Sequence, residues 1–177
     1  MILFWERGFE AASVQDLTTA MGINRFSMYN TFDDKQTLFL TALDHYTTHH
    51  TARSLLPLEA PRPDLGAIKS YFDALLTRTR TRPGSMGCMM ALAGSERPQD
   101  PDTIERVNAH NTRTRLAFER ALRNAADDGQ LRPGIYPRRR AAMLTTFTLG
   151  LALQTRAGTD LATLRATVDA VLGDLAA

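Results

Sequence analysis

The sequence predicts an all-α protein of about nine helices, and three observations carry that prediction. Apolar residues recur at three- and four-residue spacing along most of the chain. Period-two alternation bounded by turn residues is hard to find. Glycine and proline breaks cut the rest into helix-sized pieces. A length of 177 residues suits one unit, or a small module sharing a core with a larger one. With 44% hydrophobic and 23% charged residues, the composition is that of a folded chain and not of a disordered one.

The breaks fall at Gly8, Gly22, residues 57–63, Pro83-Gly84, residues 98–101, Asp128-Gly129, residues 133–137 and Gly158. They leave three brief helices, near 1–7, 14–21 and 25–31. Six longer ones follow, near 34–53, 65–81, 86–95, 103–127, 138–157 and 160–175.

The opening run, Met1-Ile2-Leu3-Phe4-Trp5, is followed at once by Glu6 and Arg7 and lacks the basic flank and cleavage site of a secretion signal. No stretch approaches the roughly 18–20 apolar residues of a membrane span. A cytoplasmic protein with no membrane partner is the expectation. A lone cysteine, Cys88, excludes an internal disulfide and a cysteine-based zinc cluster and suits a reducing compartment.

The second helix has a start signal in Ser13-Val14-Gln15-Asp16. The Ser13 hydroxyl can accept from the amide three residues on, while Asp16, a shorter stand-in for the usual Glu, reaches back. Val14, Leu17 and Met21 share one face, and Gly22 supplies a permissive turn before Ile23. Asn24 is a good N-cap for the third helix. That helix, Arg25-Phe26-Ser27-Met28-Tyr29-Asn30-Thr31, is rich in hydrogen-bonding ends and poor in conventional core residues, so it reads as displayed. Helix, tight turn and second short helix form the spacing of a helix-turn-helix, whose second helix enters the DNA major groove.

Gly8-Phe9-Glu10-Ala11-Ala12-Ser13-Val14, then Asp16-Leu17, Met21-Gly22-Ile23, Tyr29, Phe32 and Lys35 follow one another in an order and spacing that resemble the DNA-binding motif of the TetR (tetracycline repressor) family. The likeness covers about the first fifty residues; the remainder matches only in helix layout. It implies an N-terminal three-helix DNA-binding domain at 1–36 and a helical effector-binding and dimerisation domain at 37–177. The resemblance places Arg25, Phe26, Ser27, Tyr29 and Asn30 on the recognition helix with Asn24 at its start. It puts Ser13 and Thr18 or Thr19 near phosphates, and Lys35 on the backbone beside a helix N-terminus that favours a phosphate. Arg25 or Asn30 suits guanine or adenine edges, and Phe26 a thymine methyl. Phe32 reads as core; Tyr29 either packs or meets a phosphate through its hydroxyl.

Two departures from the family's pattern stand out. Phe26 lies where similar sequences carry a small residue or proline. The chain also begins inside what should be the first helix, so the family's basic N-terminal arm is expected to be missing. Residues 1–53 accordingly carry four Lys/Arg (Arg7, Arg25, Lys35, Arg53) against six Asp/Glu (Glu6, Glu10, Asp16, Asp33, Asp34, Asp44), although the whole chain has a net charge of +2.

In the last two helices Leu161, Leu164, Val168, Val171 and Leu175 fall near a heptad, and Met143, Leu144, Phe147, Leu151 and Leu153 form a broad apolar face. The resemblance implies that this pair builds a four-helix homodimer interface, so Leu144, Phe147, Leu151 and the heptad residues are expected there. Gly150 and Ala152 would permit close approach. An apolar effector pocket is expected among the intervening helices. Its candidates are the aromatics Tyr71, Phe72, Phe118 and Phe147, the apolar Leu75, Met89, Leu92 and Val107, and Cys88. Three polar interruptions of the stripe, His110, Asn111 and Thr114, complete the set. His45, His49 and His50 share a helix with no cysteine or acidic cluster beside them and read as a solvated helix end, so no metal or other cofactor is expected.

The leading function is a ligand-responsive transcriptional repressor with an operator, a small-molecule effector and a second copy of itself as partners. The alternative is a helical dimeric small-molecule-binding protein whose DNA binding is weakened by the missing arm. No GxSxG, phosphate loop, HExxH or paired-cysteine motif supports an enzyme.

Overall fold

Two hydrophobic cores, joined by shared helices, organise the fold. A computed structural model describes residues 1–176, apart from the side chain of Pro83. The head comprises α1 (Ile2–Ala11), α2 (Val14–Met21), α3 (Arg25–Phe32) and α4 (Lys35–Tyr46). A π-helical turn (Thr47–Thr51) and α5 (Ala52–Leu55) prolong α4, so one rod runs from Lys35 into the body. The body continues with α6 (Leu65–Arg78), the single turn α7 (Arg82–Ser85), α8 (Met89–Glu96), α9 (Pro101–Asp127), α10 (Pro137–Arg156) and α11 (Leu161–Gly173).

Counting the α4–π–α5 rod once and setting aside the short α7, the described residues contain the nine helices the sequence predicts. Most breaks lie where helix-stop residues stand, and the caps explain the starts. Ser13, Asn24, Asp34, Asp64, Asp100 and Asp160 each accept the backbone amide three residues on. Gly22 closes α2 in the left-handed conformation.

The first core joins Phe4, Trp5, Leu17 and Met28 to Leu38, Phe39, Leu43 and Tyr46 of α4 and to Met89, Met90 and Ala93 of α8. It therefore extends beyond residue 36 and binds α4 and α8 into the head. The second gathers Leu55, Leu58, Ile68, Tyr71, Phe72 and Leu76 with Phe118, Ala121 and Leu122 of α9 and with Leu144, Leu151, Leu164 and Val168 of α10 and α11. At 27 residues, α9 is about 40 Å long and reaches both cores. Among the described residues, no helix is long and apolar enough to cross a membrane.

Candidate nucleic-acid interface and effector cavity

The start of α2 is held as its sequence demands. Ser13 Oγ accepts from the Asp16 amide at 3.1 Å while an Asp16 carboxylate oxygen accepts from the Ser13 amide at 3.3 Å. The Ser13 hydrogen bonds hold the Asp16 carboxyl below its ordinary pKa. Asn24 Oδ1 accepts from the Ser27 amide at 2.8 Å and so sets the entry angle of α3.

Within α3 only Met28 is fully buried, and this one anchor fixes which face looks outward. Arg25, Phe26, Tyr29 and Asn30 are exposed, Phe26 to 74%, and Ser27 is half-buried. Arg25 with Tyr29, and Phe26 with Asn30, are neighbours one turn apart on that face. Phe32 packs against the head core. Lys35 Nζ lies 4.4 Å from the centre of the Phe9 ring, which Arg97 also approaches, at 3.9 Å.

Two expected phosphate contacts need correction. Thr18 is buried and its hydroxyl donates back to the Val14 and Gln15 carbonyls, whereas Thr19 is exposed. The N-terminus of α4 is already occupied by the Asp34 carboxylate, which accepts from the Thr37 amide at 2.7 Å, so it offers no vacant anion site.

In the body, the described residues line a partly open cavity of about 70 Å³. Tyr46, Thr51, Ser54 and Leu55 supply one wall, Tyr71, Leu75 and Arg78 a second, Cys88 a third. His110 and Thr114 of α9 face Thr148, Leu151 and Thr155 of α10. The π turn aims Thr51 inward, where its hydroxyl meets His110 Nδ1 at 3.3 Å. Burial pushes the Tyr71 hydroxyl above its ordinary pKa, with Thr148 beside it acting the other way. Burial would raise the Cys88 thiol too, but the hydrogen bond and charge of His110 bring it below its usual value.

Of the twelve candidates, the structure brings Tyr71, Leu75, Cys88, His110 and Thr114 to this cavity. Phe72 and Phe118 are wholly buried and stack at 5.8 Å, with Phe147 packed on Phe72 at 5.5 Å, so these three are core. Met89 belongs to the head core, Val107 packs against it, and Leu92 is half-buried away from the cavity. Asn111 borders an open groove between α9 and α10 instead. Sequence reasoning missed Tyr46, Thr51, Ser54, Arg78, Thr148 and Thr155. The spacing of polar residues within α10 was a usable signal for the last two.

The sequence profile described as "Bacterial regulatory proteins, tetR family" matches residues 1–42, and that of the "BetI-type transcriptional repressor, C-terminal" matches residues 66–177. The chain belongs to the TetR family. It is similar to the uncharacterised HTH-type regulator YezE of Bacillus subtilis, at 32% identity over 73% of this chain and 67% of the relative. It also resembles the HTH-type repressor ComR of Escherichia coli, at 28% identity over 91% and 78%. Among solved structures, the TetR-family regulator CifR, complexed with 26-base-pair operator DNA, superposes with a TM-score of 0.82 at 26% identity over 96% of this chain and 90% of that one. A regulator from Agrobacterium tumefaciens reaches 0.88 at 24% identity over 99% and 93%, which shows the shared fold. This TetR-family chain is a DNA-binding transcriptional regulator; the alternative of a dimeric small-molecule-binding protein with weakened DNA binding is not favoured.

The TetR-type body revises the expected dimer residues. Leu144, Leu151, Leu164, Val168 and Leu175 are between 0 and 6% exposed within one chain. The heptad is thus the seam between α11 and its own body. Phe147, Leu161 and Val171 pack on the same core. The sides of α10 and α11 that face away carry Met143, Gly150 and Leu153, and Ala162, Ala166 and Ala170. Ala152 lines the cavity.

Proposed function

We propose that this protein is a repressor that grips operator DNA as a homodimer through α3 and is released by a small molecule held in the cavity. The observation that carries this reading is the display of α3: one methionine anchors it, and Arg25, Phe26, Tyr29 and Asn30 stand free on the outward side. Arg25 and Asn30 supply donors for base edges, Phe26 an apolar face for a thymine methyl, and Thr19, Tyr29 and Lys35 the backbone contacts. Two copies pair through the exposed sides of α10 and α11, where Met143 and Leu153 give apolar contact and Gly150, at which an added Cβ would meet nothing within 4 Å, leaves room for a close crossing. The pairing sets the two α3 helices to successive major grooves, about 34 to 36 Å apart.

Besides the α4–π–α5 rod, which carries Tyr46 from the head core to the cavity wall, two side-chain tethers connect the body to α1. Arg156, at the end of α10 one residue from cavity-lining Thr155, donates to the carbonyls of Trp5 (3.0 Å), Glu6 (2.7 Å) and Met86 (3.1 Å). Glu96, at the end of α8, accepts from the amides of Phe9 (2.7 Å) and Glu10 (2.9 Å). A ligand that displaces α10 or α8 therefore moves α1 and, through the head core, α3.

Fluorescence anisotropy against the DNA upstream of its own gene and a scrambled duplex, at two salt concentrations, tests the reading. Sequence-dependent binding is expected. Arg25→Ala should cost about 1–3 kcal/mol on the specific duplex, and Lys35→Ala should lower the salt slope by about one. Equal, weak binding to both duplexes would sink the proposal.

A further inference from the structure

We infer that the cavity takes a small organic carboxylate, with Arg78 as its counter-ion and an apolar body seated against Leu55, Leu75 and Leu151. This rests on the effector reading above and adds the ligand's chemical class to it. Arg78 ends α6 and lines the cavity, and among the described residues its guanidinium donates only to the Ser54 hydroxyl. Among the described residues it makes no ion pair, and no Asp or Glu lines the cavity. The nearest carboxylate along α6, Asp73, is held by Lys69 and Arg165 on the outer side.

A planar cation with several donors and a single neutral partner, in a mostly apolar enclosure, is a strong site for a carboxylate and a poor one for a cation. The excess positive charge is felt nearby: burial, and then Arg78, lower the pKa of His50. The hydroxyls of Thr114 and Thr148 donate to the His110 and Leu144 carbonyls, and that of Thr51 meets His110 Nδ1, so Arg78 is the charged donor that the cavity lining offers a carboxylate. A free space of about 70 Å³ limits the ligand to a few heavy atoms unless the helices part.

The test uses small acid and amide pairs of matched shape: isobutyrate against isobutyramide, and propionate against propionamide. At about a hundredfold excess over Kd, an acid should raise Tm by about 5 to 10 °C, and the amide of the same shape should not. Arg78→Met should weaken acid binding about 10- to 100-fold, and Arg78→Lys should weaken it less while keeping the preference for acid over amide. Amides matching the acids, no saturable rise from any acid, or an unchanged acid response in Arg78→Met would each overturn the inference. The acid and amide comparison needs no variant, so a misfolded Arg78→Met leaves it decisive. Acids that bind without releasing operator would uphold the ligand class and overturn the effector reading instead.

Discussion

Asp100 shows how much one side chain can join. Its carboxylate caps α9 through the Thr103 amide at 2.8 Å, accepts from Gln36 of α4 at 3.0 Å, and pairs with Arg97 at 3.1 Å. The Thr103 hydrogen bonds, then those of Arg97 and Gln36, hold its pKa down at about 2. Because the folded value lies below the unfolded one, the stability it contributes is fully present above about pH 4 and disappears as pH falls through about 2. Asp100→Asn, which keeps the cap and loses the charge, should cost about 2 kcal/mol at pH 7 and nearly nothing at pH 2. Urea melts at both values check this; an equal cost at both would refute the charge argument. At this scale the sequence was legible for caps, since Ser13, Asn24 and Asp100 act through bonds three residues away. It was less so for the cavity. Periodicity tells which side chains face inward, and Phe72, Phe118 and Tyr71 do so alike; which of them border free space depends on how three other helices meet them.

Among the elements, α1 carries an interruption that its glycine announces. Gly8 stands at φ 82° and ψ −179°, a conformation open almost only to glycine, and a Cβ there would lie 2.5 Å from the Glu96 carboxylate. Gly8→Ala should destabilise by about 1–3 kcal/mol from the backbone alone, and should loosen Glu96 from Phe9 and Glu10. Denaturant melts report the first effect, and amide exchange at Phe9 and Glu10 the second. A change within about 0.5 kcal/mol would count against the strained geometry. The π turn at 47–51 was not legible, because its five residues, Thr47 to Thr51, carry no period of their own and its winding follows from packing. It seats the His50 ring on Tyr46 at 5.4 Å and against Trp5 at 5.0 Å. His45 stacks on His49 at 4.0 Å, a contact that i,i+4 spacing does foreshadow.

For the whole molecule, the expected dimer seam failed for a physical reason. A heptad of Leu161, Leu164, Val168 and Leu175 reads the same whether it meets a partner or its own body, and here the body takes it. The motif in the head succeeded because turn, cap and displayed helix are local. Coupling between cavity and head is a property of the assembled chain, and Arg156 is where to test it. With an effector that releases operator, Arg156→Met should bring the operator-affinity ratio, without against with effector, from the typical 5- to 150-fold toward one while leaving effector Kd within a few-fold. An unchanged ratio would place the coupling elsewhere.

Both tethers hold the main chain of the head and none of its side chains: Arg156 takes the carbonyls of Trp5 and Glu6, and Glu96 the amides of Phe9 and Glu10. These two joints are blind to the lettering of the piece they hold, although the Arg82–Glu6 and Arg97–Glu10 pairs beside them are not. The reading surface on α3 can be rewritten for another operator, and the body re-cut for another ligand, while the hinge between them keeps the same fitting.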